Sequence, residues 1–156
     1  KQSVRLTVPQ FIPRYRVTLV AEGGHTAPYG ALRDSAAAAA ALRPCFDGLD
    51  REQFLVCCLD AKNVTIGVNI VSIGTLTLSL VHPREVFALA VRESAAAVIL
   101  LHNHPSGDPT PSGEDRQLTS RLVEAGRLLG IRVVDHVILG DGRYVSFADE
   151  GWLTEQ

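Results

Sequence analysis

The sequence predicts an α/β fold in which helices flank a mixed β-sheet, built as a single domain over residues 1–156. The chain has 156 residues, of which 46% are hydrophobic, and this is enough apolar material for one core. Short apolar runs at residues 54–59 and 96–101 are typical of buried strands. Segments with helical features alternate with these runs, which is the order of elements expected in an α/β protein.

Strands are predicted where apolar residues alternate with polar ones, or run continuously, between turn residues. Residues 14–20 alternate, whereas residues 54–59 are apolar throughout. Asn63 makes a turn to a neighbouring strand, and the glycines at 140 and 142 predict a closing hairpin. In chain order the predicted strands are residues 14–20, 54–59, 64–73, 76–80, 96–101, 131–139 and 144–147.

Helices are predicted from capping residues and apolar spacing. Asp34 offers an N-cap oxygen before the alanine run at residues 36–42, and Pro44 ends that helix. Pro83 fits the first turn of a helix over residues 84–95. A third helix ends at Gly130 and has apolar residues at helical spacing. These residues are Leu118, Leu122, Ala125 and Leu129.

Charge and hydropathy exclude several classes of protein. The 15 Lys and Arg against 17 Asp and Glu give a net charge of -2, so direct nucleic-acid binding by this domain is not expected. The longest apolar run, residues 95–101, is far shorter than the ~20 residues that cross a bilayer. Since the N-terminus also has no signal-peptide hydrophobic region, we expect a soluble cytoplasmic protein. The three cysteines form no CxxC pair and are expected to be reduced core residues. Because the chain starts at Lys1 and has no methionine, we expect a processed or trimmed form of a longer product.

The residues that carry chemistry follow the strand at residues 96–101. His102 and His104 are two positions apart, which places both imidazoles on one side of an extended chain. Asp115 follows a loop rich in proline and glycine and lies in the first turn of the third helix. Two imidazole nitrogens and one carboxylate oxygen leave the fourth position of a tetrahedral zinc ion open, as in catalytic sites. We therefore predict one zinc ion per chain.

Simpler interpretations exist for the same residues. Ser112 and Asp115 match a capping box at the start of a helix, an arrangement that does not exclude metal binding by the carboxylate. Single histidines in a surface loop are usually solvated, but the joint pattern of two histidines and a first-turn acid favours a metal site. The letters His-Asn-His also spell the name of a nuclease motif. Those nucleases distribute the residues over a hairpin and a helix, so we set that interpretation aside.

The spacing of His102, His104, Ser112 and Asp115 resembles the signature of the JAMM (MPN+, JAB1-type) metalloprotease superfamily. The strings HNHPSGDPTPSGED, HPREVF and DHVILGDGRYVSF resemble its bacterial RadC branch, and the resemblance covers about residues 49–153. It implies a cytidine deaminase-like (JAB1/MPN) fold and the three zinc ligands named above. It also implies that Ser112 binds the water or stabilises the oxyanion, and that an upstream glutamate is the general base.

The resemblance leaves the choice of glutamate open. Glu52 comes just before the strand at residues 54–59, the place that the superfamily pattern implies, and we favour it as the general base. Glu85 is the competitor, but its place right after Pro83 is explained by the helix dipole alone. His136, next to Asp135, is either a residue that orients a ligand or part of the core, and the apolar residues around it favour the core.

The expected activity is hydrolysis of a peptide or isopeptide bond in an unidentified protein or peptide. Deamination is disfavoured because the His-x-Glu and PCxxC zinc signature is missing. RadC-like proteins are associated with DNA repair, so the alternative is a repair-associated accessory or binding protein without its own peptidase activity. A metal-free scaffold is a third option. A strand edge could pair with a substrate peptide or a second protomer, so a homo-oligomer stays open.

Overall fold

A five-stranded mixed sheet lies at the centre of the computed structural model, which describes residues 10–27, 30–74 and 80–153. The strands are β1 (Gln53–Leu59), β2 (Thr65–Ile73), β3 (Ala97–Asn103), β4 (Arg132–Leu139) and β5 (Tyr144–Ser146). They lie side by side in the order β2-β1-β3-β4-β5. Strands β3 and β4 are parallel and the other neighbours are antiparallel. The predicted α/β fold with a mixed sheet is confirmed.

Helices cover both faces of the sheet. They are α1 (Ser35–Leu42), α2 (Pro83–Val86), α3 (Ala88–Arg92) and α4 (Gly113–Leu129), and a single 3-10 turn (Arg43–Phe46) follows α1. One buried cluster joins alternate residues of β1 and β3, such as Phe54 and Leu100, to Leu122 of α4. The other joins the intervening residues, such as Leu55 and Leu101, to α1. Strands buried on both faces explain why these stretches of sequence are apolar without alternation.

Predicted turns and caps are confirmed where polar side chains satisfy the backbone. The carboxylate of Asp60 accepts hydrogen bonds from the backbone N–H groups of Lys62 and Val64, at 2.8 and 3.0 Å, in the turn from β1 to β2. Asp34 caps α1 by accepting from Ala37 N at 2.7 Å. Gly130 ends α4 with a φ of 71°, a conformation that glycine adopts without strain.

Two cysteines behave as predicted. Cys57 and Cys58 are free, fully buried and directed to opposite faces of the sheet, whereas Cys45 is only partly buried. Burial raises the pKa of Cys57 to about 11 and that of Cys58 to about 12. Both thiols therefore stay protonated in the folded protein at neutral pH. Within the described ranges, no helix is both long and apolar enough to span a bilayer.

Two predicted elements are wrong and one is not testable. Residues 14–20 are exposed and have no regular secondary structure, because no strand in the described part of the chain pairs with them and alternation alone does not form a strand. The helix predicted over residues 84–95 is divided at Phe87, whose ring is buried and whose ψ is 0°, and it ends at Arg92. The strand at residues 76–80 lies almost entirely outside the described residues.

Candidate metal centre

The two predicted histidine ligands lie at the end of β3, the central strand that pairs with both β1 and β4. His102 is fully buried between its register partners Phe54 and Ile138. His104 follows the strand, and its backbone N–H continues the ladder to the carbonyl of Leu139 at 2.9 Å. Both imidazoles point to the same side, as their spacing predicts, with 3.1 Å between the two Nε2 atoms.

Asp115 reaches the same point from the first turn of α4. Its Oδ1 lies 3.3 Å from His102 Nε2, and its Oδ2 lies 3.3 Å from His104 Nε2. The capping box with Ser112 is also present: Asp115 N donates to Ser112 Oγ at 3.1 Å, and Ser112 N donates to Asp115 Oδ2 at 2.8 Å. The cap and the candidate metal site therefore use the same carboxylate, and the cap fixes its position.

These three residues are close enough together to hold one metal ion. Ligand atoms of His102, His104 and Asp115 all lie within 4.8 Å of one another. Ligands at 2.0 to 2.1 Å from a tetrahedral zinc ion would be about 3.3 to 3.4 Å apart. The two Nε2 atoms are 3.1 Å apart, and each lies 3.3 Å from one oxygen of the Asp115 carboxylate, Oδ1 for His102 and Oδ2 for His104, so the three side chains converge on one point where an ion could bind.

The loop after β3 sets the orientation of His104. The Nδ1 atom of His104 lies 2.8 Å from the backbone carbonyl of Asp108. A carbonyl only accepts, so Nδ1 carries the hydrogen and Nε2 faces Asp115. Asp108 is held in turn by its own carboxylate, which accepts from Thr110 N at 3.0 Å and Thr110 Oγ1 at 2.7 Å. The loop rich in proline and glycine therefore aims one nitrogen of His104 at the site.

Charge complementarity is visible in the pKa shifts. The contact with Asp115 raises the pKa of His104, although burial opposes the shift. Burial works to raise the pKa of Asp115, but the imidazoles of His102 and His104 outweigh it and hold that pKa well below its usual range. The aspartate is therefore an anion at neutral pH, as a metal ligand must be.

Glu52 and Ser112 lie at the cleft in front of this site. Among the residues lining the cleft are Glu52, which directly precedes β1, His104, Ser112 and Asp115. The backbone carbonyl of Glu52 accepts from Gly74 N at 2.7 Å. Glu85 is exposed in the first turn of α2 and is not among the residues that line this cleft. The structure therefore brings Glu52 and Ser112, but not Glu85, to the predicted metal ligands.

The sequence motif assigns no chemical role to Asn103, which stands between the two histidines. Its side chain is buried, and its Oδ1 accepts from Gln53 N at 2.7 Å. Its Nδ2 donates to the carbonyl of Arg51 at 3.0 Å. These two backbone groups belong to the neighbours of Glu52 on each side. Asn103 therefore ties the position of Glu52 to the strand that carries the histidines.

His136 contacts the metal site, although the apolar residues around it favour a core position. His136 Nε2 lies 2.7 Å from His102 Nδ1 in the interior of the protein. A β-bulge explains the difference: Val98 pairs with Val133, but Ile99 pairs with Asp135, so β4 contains one extra residue. The bulge reverses the alternation of β4 and turns His136 to the face of His102.

The polar partners of His136 differ from those suggested by the sequence. Asp135 does not reach the imidazole ring: its carboxylate accepts from the backbone N–H of His136 at 2.7 Å, from Ser146 Oγ at 2.6 Å and from Ala148 N at 2.9 Å. Burial raises the pKa of Asp135 and lowers that of His136. The second ring partner is Thr119, and the only sequence signal for it is its place one helical turn after Asp115.

Comparison with known proteins assigns the domain to a family. A family model described as RadC-like JAB domain matches residues 32–152, a span that contains the sheet, α4 and the three candidate ligands. The chain belongs to the RadC-like JAB domain family. The resemblance stated from the motifs is thereby confirmed.

Relatives of this RadC-like JAB domain carry the name UPF0758 protein. The protein of Symbiobacterium thermophilum is 62% identical over 113 residues, which are 72% of the chain and 48% of that relative. The protein of Pelobacter propionicus is 63% identical, and that of Methanosarcina barkeri is 57% identical, each over 103 residues. Each of these two matches covers 66% of the chain and 45% of the relative. The chain spans about half the length of the relatives it matches.

Proposed function

We propose that this domain is a zinc-dependent hydrolase that cleaves a peptide or isopeptide bond with an activated water molecule. The observation that carries the proposal is the convergence of His102, His104 and Asp115: the two Nε2 atoms are 3.1 Å apart, and each is 3.3 Å from an oxygen of the carboxylate. Two imidazoles and one carboxylate form the ligand set of catalytic zinc and leave one position open. Because His104 and Asp115 line the cleft, that position faces the place where a substrate would enter.

The remaining residues supply the acid–base chemistry. An ion bound here would supply a Lewis acid that lowers the pKa of water to about 7 and polarises the scissile carbonyl. Glu52, in the same cleft, would take the proton of the attacking water and give it to the leaving amine. A general base of this kind typically contributes 10²- to 10⁴-fold to the rate.

Ser112 is suited to hold the developing oxyanion. Its oxygen accepts the cap hydrogen bond from Asp115 N, which orients the side chain at the edge of the cleft. The hydroxyl hydrogen can then donate to a carbonyl oxygen that gains negative charge during attack. A donor fixed in advance is worth more than one that must reorient during the reaction.

The proposed substrate is a peptide or a protein, and the proposed compartment is the cytoplasm. Free thiols at Cys45, Cys57 and Cys58 support a reducing compartment. The net charge of -2 favours a protein substrate over direct contact with nucleic acid. Binding of nucleic acid would instead support the alternative, an accessory role in DNA repair.

Metal analysis by inductively coupled plasma mass spectrometry tests the proposal. We expect about one zinc per chain in the native protein and in Glu52→Gln, and its loss in His104→Ala and Asp115→Ala. His82→Ala is the matched control, because it removes a histidine at the start of α2, outside the site. No zinc in the native protein after reconstitution would overturn the proposal.

Cleavage of a proteome-derived peptide library, read as new termini by mass spectrometry, tests the reaction itself. We expect zinc-dependent cleavage by the native protein and little by Glu52→Gln. Full cleavage by Glu52→Gln would exclude Glu52 as the base. A shift of duplex DNA at physiological salt, weakening as salt rises, together with no cleavage, would favour the accessory role instead.

A further inference from the structure

We propose that Thr119 and His136 form a directed hydrogen-bond chain that fixes which nitrogen of His102 is free to bind metal. The inference rests on the proposed metal site and adds two positioning residues to it. The chain runs from the main-chain carbonyl of Asp115 through Thr119 and His136 to His102, and therefore links two of the three ligands.

The direction of the chain is set at its Thr119 end. The Thr119 hydroxyl lies 2.7 Å from the backbone carbonyl of Asp115, one helical turn earlier in α4. A carbonyl can only accept, so the single hydroxyl hydrogen is used in that bond. The same Thr119 oxygen lies 2.5 Å from His136 Nδ1. That contact therefore requires a hydrogen on Nδ1 of His136, which donates to the hydroxyl.

The hydrogen on Nδ1 of His136 determines the direction of the next hydrogen bond, between His136 and His102. The His136 ring is fully buried, and its two nitrogens contact a hydroxyl and an imidazole rather than a carboxylate, which suits a neutral ring. With its hydrogen on Nδ1, the Nε2 atom of His136 is an acceptor. His102 Nδ1, 2.7 Å away, must then be the donor. The hydrogen of a neutral His102 is thus placed on Nδ1, and the lone pair on Nε2 points at His104 and Asp115.

If the hydrogen bond between His136 and His102 ran in the opposite direction, His102 could not bind a metal through Nε2. If His102 accepted at Nδ1, its hydrogen would be on Nε2 and would occupy the position that the metal needs. The backbone carbonyl of Asp108 fixes the same choice for His104. Both histidines therefore direct Nε2 toward the candidate metal site. The carbonyl of Asp108 fixes this orientation for His104, and the side chains of Thr119 and His136 fix it for His102.

Aromatic packing keeps the two rings of the chain in place. Phe54 stacks on His102 with ring centres 6.0 Å apart, and it contacts the His136 ring at 5.7 Å. Phe147 stacks on the His136 ring with ring centres 4.9 Å apart. All four rings are buried in the same part of the protein. Rotation of either imidazole out of the chain would therefore require displacement of a packed phenylalanine.

Nitrogen-15 NMR of the metal-free native protein tests the direction without any metal or substrate. Two-bond couplings between ring hydrogens and nitrogens identify the protonated nitrogen of each histidine. We expect both His102 and His136 to carry hydrogen on Nδ1 at pH 7.5 to 8. A His102 ring with hydrogen on Nε2 and none on Nδ1 would overturn the inference. Because the spectrum needs no zinc, a failure of the proposed hydrolase function would be distinguishable from a failure of the hydrogen-bond chain.

Two variants of Thr119 test the consequence for metal binding. Thr119→Val keeps the shape but leaves His136 Nδ1–H without its acceptor, and we expect zinc affinity, measured by chelator competition, to fall about 10- to 100-fold. Thr119→Ser keeps the hydroxyl and should restore most of the affinity and the native histidine spectrum. Unchanged affinity in Thr119→Val, with its thermal unfolding midpoint recorded to confirm folding, would overturn the inference.

Discussion

Asn103 offers the sharpest test of how the fold holds the candidate site together. Replacing it by alanine removes the bond to Gln53 N at 2.7 Å and the bond to the carbonyl of Arg51 at 3.0 Å. A hydrogen bond contributes about 0.5 to 1.5 kcal/mol net, and a buried group left without a partner costs about 1 to 3 kcal/mol. Since the first bond is buried and the second partly buried, we expect Asn103→Ala to lower the free energy of unfolding by about 2 to 4 kcal/mol.

Urea unfolding of the metal-free protein measures this change. Ser106→Ala is the matched control, because Ser106 lies in the same region but makes one long bond, 3.4 Å, in an exposed position. Exposed substitutions of this kind usually change stability by less than about 0.5 kcal/mol. If Asn103→Ala were as stable as Ser106→Ala, the reasoning about the buried amide would be wrong.

The same variant separates the metal ligands from Glu52. Asn103→Ala leaves the side chains of His102, His104 and Asp115 in place, so zinc should still bind at about one per chain. The backbone on each side of Glu52 loses its hydrogen bond to Asn103, so turnover on a verified substrate should fall by more than the zinc content does. Loss of zinc in parallel with turnover would show that Asn103 acts on the ligands instead.

Three further predictions concern pH and backbone space. The pKa of Cys58 is about 12 when folded against 9.0 in its reference state, so stability from its burial is complete below about pH 9 and is lost as pH rises toward 12. Urea unfolding of the native chain should show this loss between pH 9 and 11, and an equally steep loss in Cys58→Ala would contradict it. A Cβ at Gly140 would collide with the carbonyl of Gly107, so Gly140→Ala should displace the loop behind His104 and weaken zinc binding, whereas Gly113→Ala has open space and should not. Equal zinc affinity in the two variants would refute this. Protons compete with zinc for His104, whose pKa is raised, so the zinc affinity measured by chelator competition should fall from pH 8 to pH 6. A zinc affinity that is constant over this range would contradict the prediction.

The convergence of the three candidate metal ligands was predictable from sequence because each signal is local. Two histidines at the end of an apolar run, and an acid in the first turn of the next helix, fix both the side of the chain and the distance along it. The continuous apolar runs likewise predict the central strands, since strands buried on both faces have no polar side. Local chemistry was sufficient for the turn at Asn63 and for the caps at Asp34 and Gly130.

Features that depend on distant partners were not predictable. Residues 14–20 have the alternation of a strand, but a strand also needs a neighbour in the sheet, and alternation does not report one. The position of His136 depends on the extra residue in β4, and one added residue reverses every side chain that follows. Asn103 gave no signal because its two partners lie about fifty residues earlier in the chain.

The double use of Asp115 limits what this residue can reveal about other chains of the same fold. As the partner of Ser112 in the capping box, it stabilises the start of α4 whether or not a metal is bound. A chain that had lost both histidines would still benefit from the cap, by about 1 kcal/mol. An aspartate at this position therefore has little diagnostic value by itself. The pair of histidines at the end of β3 plays no part in the cap, so in related chains it is the more informative sign of a metal site.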